Sequence, residues 1–243
     1  MAKDFTFKQF HIKGFDCGMP VSTDAILLGA WANIQQKNSI LDIGCGTGVL
    51  SIMCAQRNSL AQIIGVELDS HAVHAATVNY QNCPWLARLQ AIHASITDLT
   101  QDYLERDMRV SAIICNPPYF NEGEVAAETK RAMARHTQTL SHQTLIDCCG
   151  DLLLANGTAH FVLPKFEGEQ FIKRVMQSEN SGLVLSRLLQ IKTTVQKPVS
   201  RLLIELTKKS APNEVINEEL IIHQGEHYSA DFISLTKDFY LKL

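Results

Sequence analysis

Four consecutive residues, Asn116, Pro117, Pro118 and Tyr119, directly follow the apolar run 110–115 and carry the most specific chemical signal in the sequence. The prolines stiffen the chain into an outward-facing loop. The Asn116 side-chain oxygen and the Pro117 carbonyl can each accept one N–H of a planar amino group and aim its lone pair at an electrophile. The Tyr119 ring offers a stacking face for a flipped base. The competing interpretation is an ordinary proline-stiffened turn.

A glycine-rich turn, LDIGCGTG at 41–48, follows one predicted strand and opens a helix. Gly44, Gly46 and Gly48 allow the backbone to pass close to a ligand. The next predicted strand ends at Glu67, 19 residues after Gly48. That is near the spacing of about 20 at which an acid binds ribose hydroxyls. The pattern predicts a cofactor with a ribose.

Asp42, just before the turn, helps to choose between cofactors. The glycine spacing is G-x-G-x-G and not the six-position dinucleotide form. A carboxylate at Asp42 can hold a cationic methionine amine, whereas it would repel a pyrophosphate. Both details favour S-adenosylmethionine over NAD. The alternative is that Asp42 only braces the loop or caps the helix.

The elements that must position these residues alternate between strand and helix, which predicts an α/β fold with a doubly wound, mostly parallel sheet and helices on both faces. Predicted strands cover 39–43, 62–67, 88–93, 110–115 and 158–163, with a closing antiparallel pair at 183–192 and 201–208 joined by a long loop over 193–200. Predicted helices cover 48–57, 70–82, 141–154 and 167–178, the third ended by Asn156-Gly157, and another helix capped by Ser22 or Thr23 precedes the sheet.

Composition bounds the possible function. The 243 residues are 46% hydrophobic and carry a formal net charge of −3, so no overall basic field indicates a nucleic-acid partner. Any RNA binding must come from a local patch. Seven cysteines without zinc or disulfide spacing favour a reducing, cytoplasmic compartment, and neither a signal peptide nor a membrane span is expected.

Several segments together identify a resemblance: FTFKQF at 5–10, STDAILLGAW at 22–31, LDIGCGTG, GVELD, NPPYF and the tail DFYLKL. The sequence resembles class I amino-methyltransferases with an NPPY motif, and more closely the bacterial tRNA1(Val) (adenine-37-N6)-methyltransferases, over essentially its whole length. The resemblance implies a seven-stranded Rossmann-like core in the order 3-2-1-4-5-7-6, the last strand being antiparallel. We expect residues 1–38 to form a lid packed on the core and 39–243 to form the methyltransferase domain.

The resemblance also implies S-adenosyl-L-methionine as cofactor and roles for individual residues. Asp42, Gly44 and Gly46 would hold the methionine end, Glu67 the ribose, and Leu68 would flank the cofactor adenine. An acid that many relatives carry after the third strand is replaced here by Ser95, so either Ser95 or Asp98 would bind the adenine amine. The cofactor-binding set is Thr23, Asp42, Gly44, Gly46, Gly48, Glu67, Leu68, Ser95, Ile96 and Asn116. The catalytic set is Asn116, Pro117 and Tyr119.

The expected partner is tRNA, bound near its anticodon by a monomer without a metal ion. The segment 120–136 follows NPPY and turns basic in its second half, which suggests a loop that meets the RNA backbone, although a solvated helix face explains it equally. The substrate-binding set is Tyr119, Phe120, Lys130, Arg131 and Arg135. Weaker candidates are Lys165, Lys192, Lys197 and Arg201. His71 and His74 lack a third ligand nearby in sequence, so they favour an exposed helix face over a metal site.

Three other interpretations stay open. A glutamine methyltransferase of release factors also uses NPPY, because a side-chain amide is planar, but it normally carries a longer helical N-terminal domain. An amino-methyltransferase acting on another RNA site fits the same motifs. A non-catalytic nucleotide-binding module would keep them as well, whereas an NAD-dependent dehydrogenase leaves NPPY unexplained.

Overall fold

The computed structural model describes residues 3–15, 20–117, 140–209 and 214–242. The strands are β1 (Phe5–Thr6), β2 (His11–Ile12), β3 (Ser39–Ile43), β4 (Gln62–Glu67), β5 (Leu89–His93), β6 (Val110–Cys115), β7 (Leu153–Pro164), β8 (Leu183–Thr194), β9 (Val199–Lys208), β10 (Ile216–Gln224) and β11 (His227–Tyr228). The helices are α1 (Thr23–Trp31), α2 (Val49–Arg57), α3 (Ser70–Gln81), α4 (Ile96–Glu105), α5 (His142–Leu152), α6 (Lys165–Gln177) and α7 (Ala230–Thr236), and single 3-10 turns cover Leu86–Arg88 and Glu179–Ser181.

The main sheet of the described ranges has nine strands in the order β5-β4-β3-β6-β7-β9-β8-β10-β11. Strands β3 to β7 run parallel to one another, and β9 is antiparallel to both β7 and β8. This confirms the fold class and the order 3-2-1-4-5-7-6 with an antiparallel last strand. The expected count of seven is wrong, because β10 joins β8 in parallel and β11 pairs with β10. Of β10, only Leu220 is buried, so its sequence lacks the apolar run of a central strand.

Two apolar layers enclose the sheet, since successive strand residues point to opposite faces. On β6, Ile113 joins one layer with α4, α5 and α6, and Ile114 joins the other with α1, α2 and α7. Both side chains are fully buried. The central strands are therefore covered on both faces, which explains their continuous apolar sequence. No helix in the described ranges is long and apolar enough to cross a membrane.

Two predicted boundaries are wrong for local reasons. Helix α5 ends at Leu152 and β7 begins at the next residue, so Asn156-Gly157 does not end the helix. Asn156 instead adopts φ +63° inside β7, where the pairing with β6 shifts register. Asparagine tolerates this left-handed conformation, and the dipeptide forms a bulge. The loop predicted over 193–200 shrinks to the four residues 195–198, because β8 and β9 extend further than their apolar patterns.

The N-terminal segment is fastened to the C-terminal tail. The backbone N–H of Lys8 donates to the carbonyl of Phe239 at 2.9 Å. Phe7 stacks on Phe10 with ring centroids 4.3 Å apart and meets Phe239 edge-on at 6.4 Å. Of the two predicted caps of α1, Ser22 is correct, because its hydroxyl accepts from the backbone of Ala25 at 3.2 Å. These contacts hold the first strands and α1 against the same apolar layer.

Candidate active site

Strands β3, β4 and β6 end together at one edge of the sheet. Ile43, the last residue of β3, pairs in register with Cys115, the last residue of β6. Because neighbouring strands lie about 4.8 Å apart, Gly44 and Asn116 leave the sheet side by side. Strand β4, on the other side of β3, ends at Glu67. Both predicted motifs therefore meet at the carboxyl edge, where sheets of this class bind their ligands.

The glycine loop has a backbone that only glycine adopts without strain. Gly44, Gly46 and Gly48 have φ of +69°, +54° and +84°. A methyl group added to Gly44 or Gly46 would meet no described atom within 4 Å, so both border open space. At Gly48 it would lie 2.4 Å from Cε1 of Tyr80. The first two glycines thus leave a cradle that can accommodate a ligand, and the third permits packing against Tyr80.

Asp42 is fully buried beneath this cradle. Its Oδ2 accepts hydrogen bonds from the backbone N–H of Ser51 at 3.0 Å and from the Ser51 hydroxyl at 2.7 Å. Its Oδ1 has no partner among the described residues. Burial raises the pKa of Asp42 to about 7, against the two Ser51 hydrogen bonds. One oxygen therefore braces the loop, and the other fits a donor such as an ammonium group, since a buried acceptor is unfavourable without one.

Glu67 links the glycine loop to the start of α3. Its Oε2 accepts from the backbone N–H of Gly46 at 3.0 Å. Its Oε1 accepts from the backbone of Leu68 at 2.7 Å and of Asp69 at 3.1 Å. A carboxylate has about four acceptor positions, so roughly one remains on Oε2 for a hydroxyl group. Glu67 can therefore accept a hydrogen bond from a ribose hydroxyl while it keeps its hydrogen bonds to the loop.

The other side of the edge is bordered by β5 and α4. The side chain of Leu68 is 45% exposed, which suits contact with a planar ring. Ser95 caps α4 by accepting from the backbone of Asp98 at 3.1 Å. Asp98 is exposed in the first turn, and Ile96 is buried. Both Ser95 and Asp98 stand at the expected place, and the choice between them for an adenine contact stays a prediction.

Asn116 and Pro117 continue from β6, the first half-buried and the second buried. The rest of the predicted substrate contacts lie outside the described residues. They are Tyr119, Phe120, Lys130, Arg131 and Arg135. Thr23, expected at the cofactor, is the exposed first residue of α1 and shares a hydrogen bond with the Tyr240 phenol.

The weaker basic candidates are mostly paired with acids. Their nitrogens lie 3.7 Å, 2.7 Å and 2.8 Å from carboxylate oxygens. The pairs are Lys165–Glu169, Lys192–Glu219 and Arg201–Asp24. Lys197 is exposed in the 195–198 turn. His71 and His74 are exposed on α3, and no group of three or more potential metal ligands occurs in the described ranges.

Helix α3 contributes residues that sequence reasoning missed. The Asn79 side chain donates to the carbonyls of Thr47 at 2.9 Å and Lys13 at 3.1 Å, and accepts from the Lys13 backbone at 3.0 Å. It therefore ties the glycine loop to the N-terminal segment. Tyr80 packs behind Gly48 and Gly65. Both residues lie on the buried face of an ordinary amphipathic helix, so no local pattern distinguishes them.

Comparison with known proteins agrees with this geometry. The family model described as "Methyltransferase small domain" matches residues 20–172. A protein of Vibrio campbellii named tRNA1(Val) (adenine(37)-N6)-methyltransferase is 48% identical over 99% of this chain and 97% of its own. The protein of that name from Aliivibrio salmonicida is 49% identical over 100% of both chains.

Solved structures agree on the fold. A protein of Agrobacterium tumefaciens, described as a predicted O-methyltransferase, superposes with a TM-score of 0.67 at 19% identity, covering 89% of this chain and 96% of its own. At that identity the likeness bears on the fold alone. The sequence relatives bear on the family, and they confirm the resemblance drawn from the motifs. The chain therefore belongs to the methyltransferase small-domain family and, within it, to the family of tRNA1(Val) (adenine(37)-N6)-methyltransferases.

Proposed function

We propose that this protein transfers a methyl group from S-adenosylmethionine to N6 of adenine 37 in tRNA1(Val). The observation that carries the proposal is the pairing of Ile43 with Cys115, which sets Gly44 and Asn116 side by side. A cofactor in the glycine cradle and an amino group on Asn116 would then be neighbours. The names of the relatives supply the nucleotide and the tRNA species.

The cofactor site uses four features of this chain. Asp42 Oδ1 receives the methionine ammonium, and the backbone around Gly44 and Gly46 accommodates the methionine chain without side-chain interference. Glu67 accepts a ribose hydroxyl on Oε2, and Leu68 covers one face of the adenine. When bound, S-adenosylmethionine supplies a methyl group on a positively charged sulfur, which is the electrophile of the reaction.

The substrate side rests on Asn116 and Pro117. The Asn116 side-chain oxygen and the Pro117 carbonyl each accept one N–H of the adenine amine, which directs the nitrogen lone pair away from the ring and towards the cradle. The half-buried position of Asn116 strengthens this hydrogen bond relative to one in open water. We assign Tyr119 to stacking on the flipped adenine, as enzymes that act on extruded bases require. The methylated nitrogen loses its proton readily, so the site needs no strong base.

The direct test is transfer of radiolabelled methyl groups to an unmodified tRNA1(Val) transcript, followed by nucleoside analysis. The matched substrate differs only by guanosine at position 37. We expect N6-methyladenosine in the first transcript and background label in the second. Equal labelling of the two would overturn the assignment of the nucleotide. Labelling of a purified release factor but of neither RNA would favour the glutamine methyltransferase alternative.

We also propose that the protein acts as a monomer on the anticodon region. A minimal stem-loop containing adenine 37 should therefore be methylated, with a lower affinity than the full tRNA because phosphate contacts outside the loop are lost. Sedimentation of the complex should give one protein per tRNA. A stem-loop that is inert at saturating concentration would show that recognition requires the body of the tRNA.

A further inference from the structure

Among the described residues, the exposed ring of Phe166 stacks on no other ring and belongs to neither apolar layer. Its side chain is 65% exposed at the second position of α6, although a polar residue would suit a solvated helix equally well. The core residues of this helix are Phe171 and Val175, together with Gly168. A single exposed apolar residue is common on protein surfaces, so its position must decide whether it has a function.

That position is the edge that carries the active site. Cys115 pairs with Phe161, so β7 runs beside β6 and reaches the carboxyl edge next to Asn116 and Pro117. If the register continues, Pro117 is level with Leu163. Phe166 follows Leu163 by three residues, which limits the distance between their Cα atoms to about 11 Å.

Lys165 places a cation beside Phe166, in a first turn of α6 that also carries Glu167. The preceding residue, Lys165, is about half exposed, with its amine 3.7 Å from Glu169, a distance at which an exposed pair is weak and readily exchanged for a phosphate. Pro164, the N-cap residue of the helix, has no side-chain hydrogen bond to offer the first N–H groups of α6. Aromatic rings beside cationic groups are the usual surface for unstacked bases, because every base has a π-face.

We propose that Phe166 is a positioning residue that stacks on a base adjacent to the target adenine, at position 36 or 38 of the tRNA. The inference rests on the proposed function. Extruding the target leaves its neighbours without a stacking partner, and the ring replaces that lost contact. Phe166 thereby holds the RNA while Asn116 orients the reacting amine.

The same helix provides a matched control. Met176 is 77% exposed, ten residues further along α6 and therefore about 15 Å away, towards the opposite edge of the sheet. Phe166→Ala and Met176→Ala remove comparable exposed apolar side chains from one helix. We expect Phe166→Ala to raise the KM for tRNA about tenfold, with little change in kcat, cofactor affinity or Tm. Phe166→Trp should keep a KM near that of wild type, and Met176→Ala should change it less than twofold.

Combining the Phe166→Ala variant with altered RNAs identifies the base that the ring contacts. Stem-loops with an abasic nucleotide at position 36 or 38 lack the stacking partner, and on one of them Phe166→Ala should add no further penalty. A tenfold penalty that persists on both abasic RNAs, or a Phe166→Ala variant that equals wild type, would overturn the inference. If the wild-type protein methylates no tRNA at all, the proposed function itself fails, so the two failures are distinguishable.

Discussion

Asp42 and Ser51 are joined by two hydrogen bonds to a single oxygen, Oδ2, at 3.0 Å and 2.7 Å, while Oδ1 stays buried without a partner among the described residues. Burial raises the pKa of Asp42 to about 7 from the ordinary 3.8. The carboxyl group is therefore about half protonated at neutral pH. Cofactor affinity and fold stability then respond to pH in opposite directions, because an ammonium ligand prefers the carboxylate and the empty fold prefers the neutral acid.

The first prediction concerns stability without cofactor. Between pH 3.8 and 7 the folded protein binds more protons at Asp42 than the unfolded chain does, so stability from this group is lost as the pH rises. Asp42→Asn keeps an acceptor for Ser51 but does not titrate. Between pH 5 and pH 8 the free energy of unfolding of wild type should fall by about 2.5 kcal/mol more than that of the variant. Urea unfolding at both values measures this, and equal slopes would contradict it.

The same pair of proteins tests the cofactor role of Asp42. Wild-type affinity for S-adenosylmethionine should increase as the pH rises from 6 to 8, since more of the carboxyl group is ionised. Asp42→Asn should bind at least tenfold more weakly at pH 8, the loss of one hydrogen bond to a charged group. Calorimetric titration at each pH gives both quantities. A variant that binds as tightly as wild type would leave Asp42 as a loop brace only.

The second prediction concerns Glu67. Glu67→Ala removes the acceptor for a ribose hydroxyl and also frees the N–H groups of Gly46, Leu68 and Asp69, which are partly exposed and can turn to water. Cofactor affinity should fall about tenfold or more, with a modest loss of stability. The matched control is Asp69→Ala, which removes the cap of α3 and costs about 1 kcal/mol of stability without touching the cofactor. If the two variants lose affinity equally, the loop geometry and not the ribose contact is responsible.

The third prediction separates two glycines of one loop. Gly46→Ala fills open space and bears only the strain of a positive φ, about 1–2 kcal/mol, but its methyl group occupies the cradle. Gly48→Ala meets Tyr80 at 2.4 Å and must shift a buried ring. We therefore expect the first variant to fold and lose cofactor affinity, and the second to lose mainly stability. Thermal unfolding and cofactor titration of both variants suffice. The reverse assignment would mean that the cofactor lies elsewhere.

The sequence alone predicts the part of the fold that local physics determines. Buried parallel strands such as Val110–Cys115 are continuous apolar runs, and the glycines after Ile43 predict a turn at that point. Strand β10 is missed because it lies near the edge of the sheet, half-exposed and charged, where pairing with β8 and not composition makes it a strand. The helix end predicted at Asn156 is wrong because an Asn-Gly dipeptide can end a helix or form a β-bulge. Pairing with β6, which the local sequence does not contain, determines that it forms a bulge.

The candidate site divides in the same way. Gly44, Glu67 and Asn116 are predictable, because their chemistry requires particular residue types at the ends of adjacent strands. The residues that support them are not predictable. Asn79 bonds to Lys13, 66 residues away in the chain, and Ser51 bonds to Asp42, nine residues away. An Asn on a helix and a Ser in a glycine-rich region are too common to indicate which backbone groups they satisfy.

The fourth prediction concerns the contribution of Asn79 to stability. Asn79 is buried and makes three hydrogen bonds that join α3 to Lys13 and Thr47. Asn79→Ala leaves those backbone groups unpaired and should lower the free energy of unfolding by about 2–4 kcal/mol. Asn82→Ala, three residues on and exposed, removes one hydrogen bond to Val78 within the helix and should cost less than about 0.5 kcal/mol. Urea titrations compare the two, and similar losses would contradict the bridging role.

Asn116 is the central residue of the proposed methyl transfer, and it stands beside Gly44 because Ile43 pairs with Cys115. Asn116→Asp keeps an acceptor for the N–H and should retain part of the activity. Asn116→Ala should fold, still bind S-adenosylmethionine and bind tRNA nearly as wild type does. Its effect should fall on the chemical step, because the lost hydrogen bond orients the reacting nitrogen.

The decisive measurement is single-turnover methyl transfer to unmodified tRNA1(Val) with enzyme and cofactor saturating, so that binding and product release do not enter. The predicted rate constant for Asn116→Ala is lower than that of wild type by about two orders of magnitude or more, as when one preorganised hydrogen bond is removed from an active site. A near-wild-type rate would contradict the account, because the residues after β6 would then be a turn and not the site of amine positioning.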